Sequence, residues 1–265
     1  MKNIGILFSG GLDSTYLMWK NLKDGNYVKP IYITINNNEV KTKIEKNRVN
    51  ALIDKFRNEF GYDKVDGLHN VCNFHLTEYY INNLKFVQMP IWIMGLIYSQ
   101  KVKVDEFQIG YISNDDAVSY IDDFKYIYNS YSSLLCDDVV PIVFPIIKKC
   151  KSEIIYELPE DYINLTTSCE NPKIINENTQ LIEFKMCGNC PACKRILNDD
   201  YWNRYALYKE LGEVDKINHL YKIYEYGYKV IDNNNNEVVP WPTDGIPIKK
   251  RYHQLEIEFP DDNIK

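Results

Sequence analysis

An uncharged apolar run, Ile4 to Phe8, stops at Gly10 and Gly11 and passes directly into a helix-forming segment, Ser14 to Leu22. A strand with no polar alternation is one covered on both faces, which commits the chain to a sheet layered between helices. The turn between them reads Ser9, Gly10, Gly11, Leu12, Asp13, Ser14. Adjacent glycines permit a tight turn and remove side chains that would block an approaching anion. The bare amides, the Ser9 and Ser14 hydroxyls and the helix N-terminus can all donate to oxyanions. Phe8 to Ser14 is therefore the candidate phosphate site, set where a parallel sheet opens its ligand crevice. Asp13 would repel a phosphate directly, and a magnesium ion bridging the two gives it a role. The plainer alternative is a serine- and glycine-rich turn with a helix cap. Walker A is a poor match because its spacing and lysine are absent, and a dinucleotide fingerprint lacks its third glycine.

Further along, Tyr27–Ile35 reads as a second strand and Ile44–Phe60 as a helix, with Val49, Leu52, Ile53, Phe56 and Phe60 at helical spacing. Val65–Val71 is a weaker strand candidate. Ile91–Ser99 suits a buried helix, Phe107–Tyr111 a strand, and Val139–Phe144 a strand near a sheet edge because Pro141 interrupts it. Lys151–Leu158 is a short helix stopped by Pro159. Strands alternating with helices predict an α/β fold: an open, mostly parallel, doubly wound sheet. Beyond Arg195 the texture changes. Tyr201–Leu211 and Ile217–Tyr226 read as helices, Asn233–Asn236 as a turn, and Leu255–Phe259 as a late strand or arm.

The chain has seven cysteines, an odd number, and three of them fall in Cys187-Gly-Asn-Cys190-Pro-Ala-Cys193. That is unlike a loop-stapling disulfide pattern and suits a thiolate metal site in a reducing compartment, hence a cytoplasmic protein. With Cys169 as a remote fourth ligand, four thiolates fit tetrahedral zinc and leave no open position, so the site is structural. An iron–sulfur cluster is the chemical rival. Cys72, Cys136 and Cys150 read as small buried hydrophobes, and His69, His75, His219 and His253 as ordinary surface or core residues. A formal net charge of -6 argues against direct nucleic-acid binding. No run approaches the ~20 apolar residues that span a bilayer, so no membrane partner is expected.

SGGLDS at Ser9–Ser14 closely resembles the signature of the PP-loop ATP pyrophosphatases. The resemblance implies ATP as cosubstrate, with AMP attached to a substrate oxygen and pyrophosphate released. The later Thr167-Ser168-Cys169, Cys187-Gly188-x-Cys190-x-x-Cys193-x-Arg195, Phe144-Pro145 and Lys151-Ser152-Glu153-Ile154 narrow it. Over roughly residues 1 to 197 the chain resembles the 7-cyano-7-deazaguanine synthases of queuosine biosynthesis. That likeness implies an ATP-dependent carbon–nitrogen ligase. It would convert 7-carboxy-7-deazaguanine and ammonia to 7-cyano-7-deazaguanine (preQ0), through an adenylate, an amide and a second activation. The cofactors implied are ATP, Mg2+ and structural Zn2+, on a PP-loop domain (1–165), a zinc knuckle with its helix (166–212) and a C-terminal extension (213–265).

Gly110 ends a predicted strand, so the acidic stretch Asp115, Asp116, Ala117, Tyr120, Asp122 is expected at the ligand rim. Carboxylates there can accept from a guanine-like N1–H and amine, and Tyr120 can meet a flat ring. Tyr120-Ile121-Asp122 resembles the family's Tyr-Pro-Asp element, which places Asp122 among the catalytic candidates with Ser9, Asp13 and Ser14. The plain alternative is a solvated acidic loop or helix cap. The departures are substantial. Phe124 stands where the family has an arginine, with Lys125 adjacent as a substitute. Gln88-Met89-Pro90-Ile91-Trp92 replaces a Pro-Gly-Arg-Asn loop, and Gly-Gln-Arg-His is missing near Asn36–Asn38, with only Glu39 and Glu45 nearby. These losses threaten the product more than the AMP-forming chemistry. The alternatives are a ligase that stops at the amide or joins the carboxylate to another amine, in DNA modification or antiviral defence, and a non-catalytic nucleotide-binding subunit. A homodimer is left open.

Overall fold

In this computed structural model the described residues are 1–75, 88–112, 115–149, 151–188 and 190–194, with two short strands at 230–231 and 237–238. Five parallel strands form the main sheet: β1 (Asn3–Leu7), β2 (Tyr27–Asn36), β3 (His69–His75), β4 (Glu106–Gln108) and β5 (Ile142–Val143). Their order is β3-β2-β1-β4-β5. Among the described residues four helices cross between successive strands: α1 (Leu12–Lys23), α2 (Glu39–Phe60), α3 (Gln88–Tyr98) and α4 (Ile121–Ser132). Winding runs outward from β1 through β2 to β3, then jumps back to β4 and runs outward the other way. The reversal between β1 and β4 is the position at which doubly wound sheets bind ligands.

Side chains of β1 alternate as a strand must. Ile4, Ile6 and Phe8 pack with α1 and α2 residues such as Tyr16, Val49 and Phe56, whereas Leu7 packs with α3 and α4 residues such as Leu96 and Phe124. Both faces are thus covered, as the uncharged sequence of β1 requires. Pro30, inside β2, falls between Val28, bridged to Val65, and Ile31, the first residue registered with β3. The ladder on that side has a gap where proline lacks its donor.

Boundaries shift where the sequence carries least apolar signal. Helix α2 begins at Glu39 rather than Ile44, because the Asn38 side chain accepts the Lys41 amide at 3.1 Å and caps a polar first turn. The third strand spans His69–His75 rather than Val65–Val71, and Val65 makes only an isolated bridge. As an edge strand with alternating half-burial, β3 needs no apolar run. The strands expected at Phe107–Tyr111 and Val139–Phe144 shrink to Glu106–Gln108 and Ile142–Val143. Asp115–Asp122, expected as a loop, is a 3-10 turn over Asp116–Tyr120 running into α4.

After β5 come two short helices, α5 (Lys151–Glu157) and α6 (Glu160–Ile163), then an antiparallel hairpin, β6 (Lys173–Asn176) with β7 (Glu183–Lys185), and α7 (Pro191–Lys194). Two further strands, β8 (Val230–Ile231) and β9 (Glu237–Val238), pair antiparallel. The helices expected at 201–211 and 217–226, the turn at Asn233–Asn236, the strand at 255–259, Cys150, His219 and His253 lie outside the described residues.

Gly95 lets α3 lie against the sheet, since a Cβ there would stand 2.0 Å from Ile33 Cδ1 and 2.7 Å from its Cγ1. Gly95→Ala gains about 1 kcal/mol of helix propensity and loses about 1–3 kcal/mol to overpacking. Because two atoms of Ile33 are in the way, overpacking wins, and urea unfolding is expected to show a net loss near 1 kcal/mol. Adding Ile33→Val, which removes the nearer methyl, should recover part of it.

Candidate functional site

The crevice at the reversal is a cavity of about 740 Å³ whose floor is the β1–α1 loop. Gly10 adopts a left-handed φ of 72°, and a Cβ there would lie 2.9 Å from Val49 Cγ2 on α2. Two physical reasons therefore demand glycine. Gly11 caps α1 in an extended conformation, so the helix N-terminus opens into the cavity. The Ser14 hydroxyl donates to the Gly11 carbonyl at 3.1 Å and lies 3.3 Å from Ser9 Oγ. Of the candidate phosphate loop, Phe8, Ser9, Gly11, Leu12, Asp13 and Ser14 line the cavity and Gly10 does not.

Two other chain segments close on this loop. The Thr167 amide donates to the Gly10 carbonyl at 3.1 Å. Gly110, just past β4, would place a Cβ 3.2 Å from Asp13 C and Ser14 N, a contact tight enough that the loop backbone would have to give by a few tenths of an ångström. Lys151, at the start of α5, is buried and ion-paired to Asp13. Sequence reading placed Lys151 only in a family-like run; nothing in its spacing shows that it faces Asp13 across 138 residues.

One wall is aromatic. Trp92 and Tyr111 line the cavity with ring centroids 5.5 Å apart. Tyr111 also stacks on Phe144 at 5.8 Å and 13°, while Phe124 meets both edge-on. Phe124, the residue in the family's arginine position, is fully buried in this cluster. Asp115 lines the cavity and accepts the Ile112 amide at 2.9 Å. Asp122 and Lys125 are exposed on α4 and are not part of the cavity wall. The Lys125 ammonium lies 5.6 Å from the Phe144 ring on the other side of that cluster.

The opposite wall is polar and was missed. Tyr32, Lys41, Glu45 and Glu170 all line it. Lys41 pairs with Glu170 at 2.5 Å. Burial works against the Lys41 ammonium, but Glu170 and Glu45 outweigh it and its pKa lies above the ordinary lysine value. Burial, helped by the Glu170 charge, pushes the Glu45 carboxyl up to about 7.

Behind Glu170 the four cysteine sulfurs gather within 4.8 Å of one another. Gly188, with φ 76°, turns the chain between Cys187 and Cys190. Amides point at sulfur throughout: Cys187 N–H to Cys169 Sγ at 3.2 Å, Cys190 N–H to Cys187 Sγ at 3.3 Å, and Glu170 N–H to Cys190 Sγ at 3.4 Å. Hydrogen bonds from Cys169 and Cys193 hold the Cys190 thiol well below its usual range, and the Cys169 thiol is pushed up to about 12. Four sulfurs so close favour one thiolate among thiols until a cation balances the rest. The donor set fits a closed, structural zinc site. Cys72 and Cys136 are half-buried, and Cys72 packs against the α3–α4 core.

The profile of the family described as Queuosine biosynthesis protein QueC matches residues 3–199. The chain belongs to this family. QueC membership carries with it ATP-dependent, ligase-type chemistry of the PP-loop class. No curated protein matches the chain. Among solved structures it is similar to the U34-tRNA thiolase NcsA from Methanococcus maripaludis with its [4Fe-4S] cluster, at 15% identity and TM-score 0.35, over 84% of this chain and 72% of that one. It is also similar to a predicted subunit of tRNA methyltransferase from Methanocaldococcus jannaschii, at 15% identity and TM-score 0.28, over 80% and 90%. Among the described residues no helix is long and apolar enough to cross a membrane.

Purified protein is expected to carry about one zinc per chain by elemental analysis, as a closed four-thiolate site binds. Cys190→Ser should lose the metal and much of the soluble yield. Full stability without metal would overturn the structural role. Separately, Lys151→Met leaves the half-buried Asp13 carboxylate without this partner. It should cost about 1–2 kcal/mol in denaturant unfolding, more than the removal of an exposed partner would.

Proposed function

We propose that this QueC-family chain converts 7-carboxy-7-deazaguanine and ammonia to 7-cyano-7-deazaguanine, using ATP and releasing AMP and pyrophosphate. The observation that carries the reading is one cavity with the glycine turn after β1 at its floor and an aromatic, carboxylate-bearing wall beside it. A carboxylate oxygen is a poor leaving group, whereas AMP is a good one, so activation must precede attack by nitrogen.

Ser9, Gly10, Gly11 and Ser14 hold the pyrophosphate end of ATP through hydroxyls, amides and the α1 N-terminus. Asp13, oriented by Lys151, takes a magnesium ion, which would offset phosphate charge when bound. Lys151 itself stands close enough to add positive charge to the departing pyrophosphate. Trp92 and Tyr111 give a flat heterocycle a face to lie on, and Asp115 accepts from its N–H edge. With the ring fixed there, the carboxylate points to the floor, where its oxygen can meet the α-phosphorus. Asp122 and Lys125, exposed on α4, would act only through a closure that brings α4 over the ring.

A second reading rests on the same wall. Met89 and Trp92 occupy the cavity where the resemblance implies arginine and asparagine, and Phe124 is buried where it implies arginine. A site drier and less polar than the family pattern suits an enzyme that stops at the amide or accepts a larger amine. Incubation of the protein with ATP, magnesium, 7-carboxy-7-deazaguanine and ammonia, followed by mass spectrometry, separates these outcomes. Nitrile supports the first reading and accumulated amide the second, while absence of AMP with ammonia or any added amine overturns both. Gly110→Ala, which drives a Cβ against Asp13 and Ser14, is expected to weaken ATP binding at least about tenfold, or 1.4 kcal/mol, in a calorimetric titration.

A further inference from the structure

Once AMP is attached to a carboxylate, a nitrogen must attack and then shed a proton. In the loop between β1 and α1 the one carboxylate, Asp13, is held by Lys151. Four carboxylates among the described residues line the cavity, and three are committed. Asp13 is paired with Lys151, Glu170 with Lys41, and Asp115 holds the Ile112 amide. Glu45 makes no ion pair among the described residues, and the only hydroxyl among the groups that shift its charge is that of buried Tyr32, which favours the carboxylate.

We propose that Glu45 is the base that receives the proton given up by the attacking nitrogen. The inference rests on the adenylate reading above and adds a residue to it. The nitrogen lone pair forms a bond to the acyl carbon, and the bond from that carbon to the phosphate oxygen breaks, its electron pair leaving on AMP. One nitrogen proton moves to the Glu45 carboxylate and from there to solvent, leaving a neutral amide. The placement suits the task. Lys41, Glu45 and Arg48 recur four and three residues apart on one face of α2. The Arg48 end is anchored to the carbonyls of Ile182, at 2.7 Å, and Asn164, at 3.3 Å. The other end reaches the cavity, so Glu45 is held by an element that cannot drift from the floor.

Charge around Glu45 comes from three elements: Lys41 and Lys46 on α2, Tyr32 on β2, and Glu170 from the segment after Thr167. Burial and Glu170 favour the protonated form, and Lys41, Lys46 and Tyr32 favour the carboxylate, with a balance at about 7. A carboxyl at that value can both take a proton and return it at neutral pH. The base is the ionised form, so the nitrogen-dependent rate rises with pH through about 7 and flattens above it.

The test separates two half-reactions. Substrate-dependent exchange of labelled pyrophosphate into ATP reports adenylation, and amide or nitrile formation at fixed free-amine concentration reports attack. Glu45→Gln should lower product formation by at least about 100-fold and abolish its acid limb, with the loss in exchange below about threefold. Tyr32→Phe removes a hydroxyl that favours the carboxylate, so its acid limb should move to higher pH. Equal losses in exchange and product formation in Glu45→Gln, or an acid limb unmoved in both variants, would overturn the assignment. Wild-type protein that shows no exchange at all would instead sink the adenylate reading on which it stands.

Discussion

Three segments that lie far apart in the chain converge on the backbone of one loop, and their contacts leave no room for side chains. The Thr167 amide bonds the Gly10 carbonyl, Val49 on α2 sits where a Gly10 side chain would be, and Gly110 touches the backbone of Asp13 and Ser14. Such contacts hold the loop from three directions while Ser9, Gly11, Asp13 and Ser14 line the cavity. Under the proposed function this rigidity lets the loop meet an arriving anion with little reorganisation. The Lys151–Asp13 pair completes the loop from a fourth direction and sets its charge balance.

The cysteine knuckle belongs to the same construction. Asn47 on α2 accepts the Ile182 amide at 2.9 Å and donates to the Gln180 carbonyl at 3.0 Å. Arg48 reaches the Ile182 carbonyl and packs over Phe184 at 5.0 Å. Cys169 itself lines the cavity, two residues after the amide that binds Gly10. A metal that gathers the four sulfurs therefore holds the end of the segment that closes the phosphate loop. The cysteine cluster and the β1–α1 loop are joined by fewer than three residues of backbone, so loss of metal should be felt at the floor of the cavity.

Much of this was legible. The uncharged strand, the glycine pair and the following helix gave the parallel sheet and the place of its crevice, because backbone geometry there admits few residues. Cys187, Cys190 and Cys193 gave the knuckle for the same reason, since ligand spacing is local. What failed to show was whatever depends on partners distant in sequence. Edge strand β3 was misplaced by four residues because half-buried edges carry mixed residues. Lys151, Tyr32, Lys41 and Glu45 each look like ordinary helix or strand residues until the fold sets them around one cavity. The acidic stretch misled in the opposite way. Its composition announced a site, but the 3-10 turn and α4 send Asp122 and Lys125 to solvent and leave Asp115 at the rim.

The loss of the family's arginine is the sharpest case. Sequence puts Phe124 in the arginine's position and is silent on its neighbours. The structure shows Phe124 buried edge-on against Tyr111 and Phe144, behind the aromatic wall. The sequence alone settled the sheet, the glycine turn after its first strand and the thiolate set, because those rest on period, glycine geometry and spacing within a few residues. Only the tertiary structure decided which charged groups share the cavity and what its walls are made of. Pairing energies and burial depend on distances through space that no run of residues encodes by itself.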